Sequence, residues 1–315
     1  YNGEEFFNPP PMDSHNGFWG FLKWKLFGDP VQWPENVETK QKTIPLERTP
    51  PGHVTATFIN HSTVLLQVEV VNILTDPVWS ERVSPVSWAG PKRVRRPGVA
   101  FEDLPPIDYV LIGHNHYDHL DLPTVRRLHK KHDPLFLVGL GVEELFQQEG
   151  IENVRALDWG ERYRVEENFF MEFAPAQHWS KRTLFDENET LWGGFVISSP
   201  SSRIYFAGDT GYAHHFKDAG EKFKSFDLSL IPIGHYEPRW FMKATHMNPE
   251  EAIQAHKDLN AKFTLGIHFE TFSLTDEGFL APRQEVSRLI EKDPEVDESE
   301  FVAPEFGKTY PVLKK

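Results

Sequence analysis

Residues 109–121 read Tyr-Val-Leu-Ile-Gly-His-Asn-His-Tyr-Asp-His-Leu-Asp. The apolar run Tyr109 to Ile112 is typical of a buried strand, and four side chains able to bind a metal follow it within six positions. Because the chain bends where the strand ends, alternate residues of the loop can converge on one point instead of pointing to opposite faces of a sheet. His114, His116, Asp118 and His119 therefore predict a site.

The ligand types and the spacing in this loop indicate a metal centre. Zinc accepts imidazole and carboxylate ligands, and a catalytic zinc site keeps one coordination position open for water. Three imidazoles and a carboxylate from one loop can hardly surround a single ion without strain, so the spacing favours two adjacent ions. The chain has no cysteine, which excludes disulfides, thiolate ligands and a cysteine nucleophile.

The composition indicates a globular protein and excludes several partners. The chain has 315 residues, of which 39% are hydrophobic, so it can bury a sizeable core. The net charge of −14 repels phosphate backbones, and we expect no general nucleic-acid binding. No apolar run approaches the roughly 20 residues that span a bilayer. We expect no signal segment in this chain, although the start at Tyr1 is compatible with removal of one.

Residues 1–50 differ from the rest and are predicted to form an amino-terminal arm. They are rich in proline and aromatics, and residues 17–28 place seven large apolar side chains beside two lysines. This composition is typical of a segment that lies at a lipid interface. The alternative is an arm whose aromatics pack on the main domain, and the sequence leaves both open. A second ambiguous feature is the cation run Lys92, Arg93, Arg95 and Arg96, which either meets an anionic ligand or membrane or is ordinary solvated surface.

Residues 51–315 are predicted to form one α/β domain. Apolar runs bounded by Asn, Asp, Pro and Gly predict strands at 54–59, 63–68, 72–75, 135–138, 169–173, 195–198, 203–207, 226–233 and 263–267. Helices are predicted at 122–131, 142–148 and about 282–291, and Asn248-Pro249-Glu250-Glu251 starts another that runs to about Leu259. Interspersed strands and helices indicate a layered architecture in which helices cover the sheets.

Three further ligand candidates follow apolar strands in the same way as the His-rich loop. His178 comes shortly after the strand at 169–173, Asp209 ends the run 203–208, and His268 ends the strand at 263–267. A sheet holds such strand-end residues rigidly, as a two-metal site requires. The predicted ligand set is then seven residues: His114, His116, Asp118, His119, His178, Asp209 and His268.

The order H-x-H-x-D-H, a distant His, Gly-Asp-Thr-Gly and a strand-end His resembles the metallo-β-lactamase superfamily across residues 53–270. Longer strings resemble the N-acylphosphatidylethanolamine-hydrolysing phospholipase D family within it; these are Leu74–Pro77, Gly90–Arg93, Pro175–Trp179, Phe206–Tyr212, Ile231–Met242 and Asn248–Ala252. The resemblance implies a four-layer αβ/βα sandwich with two mixed sheets flanked by helices. It also implies two Zn²⁺ ions, one on His114, His116 and His178, the other on Asp118, His119 and His268, with Asp209 bridging them.

The resemblance further implies a function. The chain would be a zinc-dependent phosphodiesterase that uses a metal-bridging hydroxide to hydrolyse N-acylphosphatidylethanolamine to N-acylethanolamine and phosphatidic acid. Asp118 would orient the hydroxide, and His246 would protonate the leaving oxygen or bind phosphate, unless it only bonds backbone at the helix entry. Apart from the resemblance, His61 and Asp76 lie at strand ends near the start of the fold, where they either orient ligand imidazoles or are core polar residues satisfied locally. We expect a phospholipid substrate, a peripheral membrane location and a chain compatible with a homodimer.

Two residues depart from the family pattern, and two other functions compete. His235 stands where a small residue is expected, and Thr245 where a longer polar one is. The same dinuclear site would also serve a soluble ester, lactone or simple phosphodiester, whereas the acidic balance disfavours RNA. The other class is a metal-holding binding or electron-transfer module. Di-iron relatives usually carry an acidic residue at the position of His116, which disfavours a redox role.

Overall fold

The computed structural model describes residues 1–8, 16–39 and 44–313. Its strands are β1 (Val54–Asn60), β2 (Thr63–Val68), β3 (Val71–Thr75), β4 (Tyr109–Leu111), β5 (Leu135–Gly139), β6 (Val154–Leu157), β7 (Arg162–Glu166), β8 (Phe169–Ala174), β9 (Gly194–Ser198), β10 (Arg203–Phe206), β11 (Leu228–Pro232), β12 (Thr264–Ile267), β13 (Phe301–Val302) and β14 (Thr309–Leu313). Its helices are α1 (Gly17–Phe27), α2 (Leu122–His132), α3 (Glu143–Gln148), α4 (His215–Phe223), α5 (Arg239–Met242), α6 (Pro249–Asp258) and α7 (Ala281–Ile290).

The strands form two mixed sheets of seven strands each. The first sheet has the order β14-β1-β2-β3-β4-β5-β6, and the second has the order β13-β12-β11-β10-β9-β8-β7. In each sheet the pairing is antiparallel in one half and parallel in the other, and the parallel half contains β3 to β6 or β10 to β13. The predicted α/β class and the mixed sheets are therefore confirmed.

Apolar side chains fill the space between the two sheets. Phe58 and Leu66 of the first sheet share one buried cluster with Phe195 and Leu230 of the second. A separate buried cluster joins the outer side of the first sheet to α2 and α3, through side chains such as Leu128. Helix α6 lies against β11 and packs on α4 and α7. The result is the predicted order of layers: helices, sheet, sheet, helices.

The start of α6 forms as its sequence predicts. The Asn248 side chain accepts a hydrogen bond from the Glu251 backbone N–H (2.9 Å), and the Glu251 carboxylate accepts one from the Asn248 backbone N–H (3.1 Å). Pro249 occupies the first helical position, where its missing N–H costs nothing. Other elements were not predicted: β6, β7, β13, β14, α4 and α5. Strand β7 alternates half-buried and exposed residues and has no apolar run, which explains why the pattern search missed it.

The amino-terminal arm contains helix α1, which packs on α5. Trp24 is buried, stacks on Phe241 with ring centroids 5.2 Å apart, and donates its indole N–H to Asp276 (2.9 Å). Trp19 and Phe27 of the same helix are largely exposed. The helix therefore packs on the domain through Trp24, as one of the two readings of the arm expects. The lipid contact of the other reading stays a prediction. The proline run after Asn8 lies outside the described residues.

The strand directions bring the predicted ligands together. Strands β8, β10 and β12 share one direction in the second sheet, so the segments after their carboxyl ends meet at one edge. The loop after β4 of the first sheet reaches the same edge, where the Gly113 backbone N–H donates to Asp76 (2.7 Å). Gly208, before Asp209, has φ +62°, and a Cβ there would lie 2.4 Å from the Gly193 carbonyl oxygen. Only glycine fits this approach.

Candidate metal centre

Three histidine nitrogens converge at one end of the site. His116 Nδ1 lies 2.7 Å from His114 Nε2 and 3.4 Å from His178 Nε2. His114 and His178 are each 1% exposed, and His116 is partly buried. Hydrogen bonding would need a proton between each pair of nitrogens, whereas one cation satisfies all three lone pairs at once. The first predicted triad is therefore assembled in the fold.

The second group lies beside the first, and Asp209 lies between them. His119 Nε2 is 3.0 Å from His268 Nε2, and both nitrogens are 3.4 Å from Asp118 Oδ2. Asp209 Oδ2 lies 3.1 Å from His119 Nε2, 3.0 Å from His268 Nε2 and 4.0 Å from His178 Nε2. A carboxylate in this position can contact a cation in either group. The structure thus brings all seven predicted residues together.

The protonation states of the cluster suit cation binding. Burial lowers the pKa of His116 and of His178 to about 3, so both imidazoles are neutral at pH 7. Burial alone would raise the pKa of Asp118 and Asp209, but the neighbouring imidazoles, among them His119 and His268, together outweigh it, and both carboxyl pKa values fall well below the ordinary range. Neutral imidazoles and ionised carboxylates are the forms that bind metal.

Residues around the cluster fix which nitrogen of each histidine faces it. His119 Nδ1 donates to Asp76 Oδ2 (2.6 Å), and His178 Nδ1 donates to the Thr245 carbonyl oxygen (3.0 Å). Each bond holds a proton on Nδ1 and directs Nε2 towards the cluster, where a metal would bind. His61 Nε2 lies 3.0 Å from Asp118 Oδ2. The sequence predicted that His61 and Asp76 orient ligand imidazoles. Asp76 contacts the His119 imidazole in this way, whereas His61 contacts the Asp118 carboxylate.

Four residues at this edge have a strained backbone. His61, Asp76, His235 and His268 all adopt positive φ, between 33° and 64°. A side chain in this left-handed region costs about 1–3 kcal/mol and persists where the surrounding structure enforces it. The strained backbone therefore belongs to the segments that carry or support the cluster.

The donor set fits a divalent metal. The described residues include four overlapping groups of ligand atoms within 4.8 Å of one another; two of them are His114-His116-His178 and His61-Asp118-His119-His268. Asp209 Oδ1 is buried and has no hydrogen-bond partner within the described residues. An ionised oxygen without a partner in the interior is costly unless a cation compensates it. The cluster can therefore bind metal.

A cavity of about 430 Å³ opens over the cluster. Its floor is formed by members of the cluster, His116, Asp118, Asp209 and His268, together with His246. Its walls are mostly apolar and come from separate parts of the chain, with Phe21 and Trp24 from α1, Trp179, Leu184, Phe241, Met242 and Leu274. A larger cavity of about 590 Å³ lies beside the 79–100 loop, but none of the seven ligand candidates lines it. The cavity over the cluster is the substrate site that the geometry favours.

Two histidines outside the ligand set also line this cavity. His246 Nδ1 lies 3.9 Å from Asp209 Oδ2, and burial lowers the pKa of His246 to about 3. His235 is 1% exposed and donates through Nε2 to the Phe272 carbonyl oxygen (3.1 Å). The sequence flagged His235 only as a departure from the family pattern. Its place in the cavity depends on Gly234, which packs against the His268 backbone.

The cation run in the 79–100 loop is partly structural. Arg93 is 4% exposed and donates to the side chain of Asn60 (3.0 Å) and the carbonyl oxygen of Val78 (3.0 Å). Arg95 pairs with the buried carboxylate of Glu270 (2.8 Å). The expectation that all four cations face either a ligand or solvent is therefore wrong for these two, because they hold the loop on the domain.

The chain matches a family model and several known proteins in sequence. A family model described as the "Beta-lactamase superfamily domain" matches residues 71–269. The "N-acyl-phosphatidylethanolamine-hydrolyzing phospholipase D 1" of Caenorhabditis elegans is 37% identical over 98% of this chain and 93% of its own length. The mitochondrial protein of the same description from Saccharomyces cerevisiae is 38% identical over 76% of this chain and 52% of its own.

Solved structures share the fold at lower identity. A possible metal-dependent hydrolase from Veillonella parvula superposes with a TM-score of 0.66 at 17% identity, covering 83% of this chain and 99% of that one. An isothiocyanate hydrolase from Delia radicum gut bacteria superposes with a TM-score of 0.65 at 22% identity, covering 81% of this chain and 98% of that one. At these identities the likeness concerns the fold alone.

Proposed function

This chain belongs to the metallo-β-lactamase superfamily of hydrolases, and from that premise we propose that it is a zinc-dependent phosphodiesterase of phospholipase D type. Its proposed substrate is N-acylphosphatidylethanolamine, and its products are N-acylethanolamine and phosphatidic acid. The observation that carries the proposal is the cavity, which has apolar walls and the His/Asp cluster as its floor. Such a cavity suits a ligand with a charged phosphodiester and long apolar chains.

The proposed ligands of two zinc ions are the seven clustered residues. His114, His116 and His178 would hold one ion, Asp118, His119 and His268 the other, and Asp209 would contact both. Bound there, the ions supply an activated water and positive charge that neutralises the phosphate. Water adds to phosphorus, the P–O bond to the N-acylethanolamine breaks, and the leaving oxygen takes up a proton.

Two side chains at the cavity floor act on the substrate side of the proposed reaction. Asp118 lies at the floor with its Oδ2 held by His61, which suits it to orient the attacking water. His246 is neutral at pH 7 because burial lowers its pKa to about 3. A neutral imidazole is a poor proton source but can donate an N–H, so of the two roles predicted for His246 we favour binding a phosphate oxygen.

We also propose that the cavity mouth rests on a membrane surface. Phe21 and Leu184 line the cavity and are 44% and 81% exposed. Five more large apolar side chains are exposed: Trp19, Leu26 and Phe27 of α1, Phe185, which follows Leu184, and Trp240 of α5. The Lys23 ammonium lies 4.8 Å from the centroid of the Trp240 ring. Exposed aromatics beside lysines are typical of peripheral lipid contact. Within the described residues, no helix has the length and apolar character needed to cross a membrane.

The test uses purified protein with its metal content measured. Protein that contains about two zinc ions should hydrolyse N-acylphosphatidylethanolamine in vesicles, release N-acylethanolamine and phosphatidic acid, and lose activity on chelation. A soluble ester, lactone and simple phosphodiester serve as competing substrates. Rapid turnover of one of these with no cleavage of the lipid would reject the lipid assignment and retain the hydrolase. Iron content with reversible reduction would reject the zinc assignment.

A further inference from the structure

We propose that Asn8, in the amino-terminal arm, is a positioning residue for His178. This inference rests on the metal centre of the proposed function, because its effect is the placement of one proposed ligand. Asn8 and His178 are 170 positions apart in the sequence, and Asn8 does not line the cavity over the cluster. It therefore acts through His178 and not on the substrate.

The Asn8 amide binds both sides of the His178 peptide unit. Its Nδ2 donates to the His178 carbonyl oxygen (2.9 Å), and its Oδ1 accepts from the His178 backbone N–H (3.3 Å). The same Oδ1 accepts from the Trp192 indole N–H (3.1 Å), which fixes the orientation of the amide. The NH₂ group of the amide thus faces the His178 carbonyl oxygen, and the amide oxygen faces the His178 backbone N–H.

The His178 backbone needs this support because it lies beyond the sheet. Strand β8 ends at Ala174, and the last bridge to the neighbouring segment pairs Gln177 with Gly211. Within residues 1–8, 16–39 and 44–313, both recorded hydrogen bonds of the His178 main chain go to Asn8. The ring is held separately, through Nδ1 to the Thr245 carbonyl oxygen. Asn8 and Thr245 thus fix the two ends of the same residue.

The arm is itself seated on the segment that follows His178. The Phe6 backbone N–H donates to the Asn188 carbonyl oxygen (2.8 Å), and the Asn188 backbone N–H donates to the Ser180 carbonyl oxygen (2.8 Å). The Ser180 backbone N–H in turn donates to the Asn188 side chain (3.2 Å). These bonds place Asn8 at a fixed distance from the ligand. The arm therefore contributes to the metal centre from outside the predicted 51–315 domain.

Removing the amide should weaken one metal site. In Asn8→Ala, the main-chain groups of His178, a residue 1% exposed, lose both partners, and the loop must shift to find others. The Nε2 atom that completes the His114-His116-His178 triad then moves with it. Residues that orient metal ligands typically change metal affinity by about 10- to 100-fold. We expect a loss of that size at one of the two ions.

The experiment measures zinc affinity in the full chain by competition with a chromogenic chelator. Asn8→Ala and Asn8→Asp are compared with wild type; the aspartate keeps the acceptor but cannot donate to the His178 carbonyl oxygen. Asn2→Ala is the matched control, because Asn2 is exposed and, within the residues that the structure describes, its side chain accepts from the nearby Glu4 and Glu5 backbones. Thermal unfolding of the chelated proteins reports any general loss of stability.

The expected result is weaker binding of one zinc ion, by about 10-fold or more, in both Asn8 variants, with the control unchanged. Two ions bound at wild-type affinity in Asn8→Ala would overturn the positioning role. An equal loss at both ions together with a large fall in unfolding temperature would also overturn it, since that pattern indicates general destabilisation. If the wild-type protein binds zinc but does not hydrolyse N-acylphosphatidylethanolamine, only the lipid assignment is rejected. Wild-type protein without metal affinity rejects both proposals.

Discussion

Asp76 Oδ2 accepts a hydrogen bond of 2.6 Å from His119 Nδ1, and the two side chains are fully buried although they lie 43 positions apart in the sequence. The other oxygen of Asp76 accepts the Gly113 backbone N–H (2.7 Å) at the start of the His-rich loop. One carboxylate therefore fixes both the loop that carries four ligand candidates and the tautomer of one of them. This arrangement lets His119 present Nε2 to the cluster.

Asp76→Asn should impair metal binding while the fold is retained. The asparagine oxygen can still accept from Gly113, but its NH₂ group would face His119 Nδ1 and move the imidazole proton to Nε2. We expect about 10- to 100-fold weaker zinc binding, measured by chelator competition. Asp133→Asn, at the exposed end of α2, is the control. Wild-type zinc affinity in Asp76→Asn would show that the carboxylate does not set the tautomer.

His246→Ala should lower turnover with both metals in place. The imidazole lies at the cavity floor, with Nδ1 3.9 Å from Asp209 Oδ2, and loss of one hydrogen-bond donor to a phosphate oxygen in the transition state costs about 10²- to 10³-fold in kcat. Steady-state kinetics and zinc analysis are made on the same samples. His214→Ala, on the exposed start of α4, should behave like wild type. Near-normal turnover by zinc-loaded His246→Ala would remove His246 from the reaction.

Zinc binding at pH 7 should release a proton from His119. Burial lowers the pKa of this imidazole, but Asp209, Asp118 and Asp76 together raise it well above 6.5 in the metal-free chain. The metal-free form is therefore protonated at neutral pH, whereas a ligand must be neutral, so zinc affinity should rise with pH. Titration of zinc into weakly buffered protein with a pH indicator measures the release. Binding without proton release would contradict the raised pKa.

The same shift predicts how the stability of the metal-free protein depends on pH. A folded-state pKa above the unfolded value gives stability that is complete below about pH 6.5 and is lost as pH rises through the folded pKa. Unfolding temperatures of chelated protein should therefore fall above neutral pH. Zinc-loaded protein should not show this fall, because His119 is then neutral. Parallel curves for the two forms would contradict the assignment.

Polar substitutions in α1 should weaken membrane binding without harming the site. Trp19 is 78% exposed and Phe27 80% exposed, and each buried aromatic contributes about 1.5–3 kcal/mol, or roughly tenfold or more in partitioning. Trp19→Ser with Phe27→Ser should reduce vesicle sedimentation and lipid hydrolysis but not zinc content. Trp88→Ser, which removes a 79% exposed tryptophan from the 79–100 loop, is the control. Equal losses in both proteins would mean that α1 is not the contact surface.

Local patterns in the sequence identified the seven residues of the His/Asp cluster and most of the strands that carry them. His114, His116, Asp118 and His119 lie within one loop, and His178, Asp209 and His268 each follow an apolar run, so short-range spacing was enough to find them. The α6 capping box is equally local, because its two hydrogen bonds join residues three positions apart. Hydrophobic periodicity and turn residues carry this information without reference to the rest of the fold.

Only the tertiary structure decided which distant residues support that site. Four features depend on where separate segments of the chain meet. They are the contact of Asn8 with His178, the burial of Trp24 while Trp19 stays exposed, the burial of Arg93 beneath its loop and the position of His235 in the cavity. No local pattern distinguishes a buried arginine or an arm asparagine from a solvated one. Their partners are set by the packing of two sheets, because burial and hydrogen bonding are properties of the assembled layers and not of the chain's local sequence.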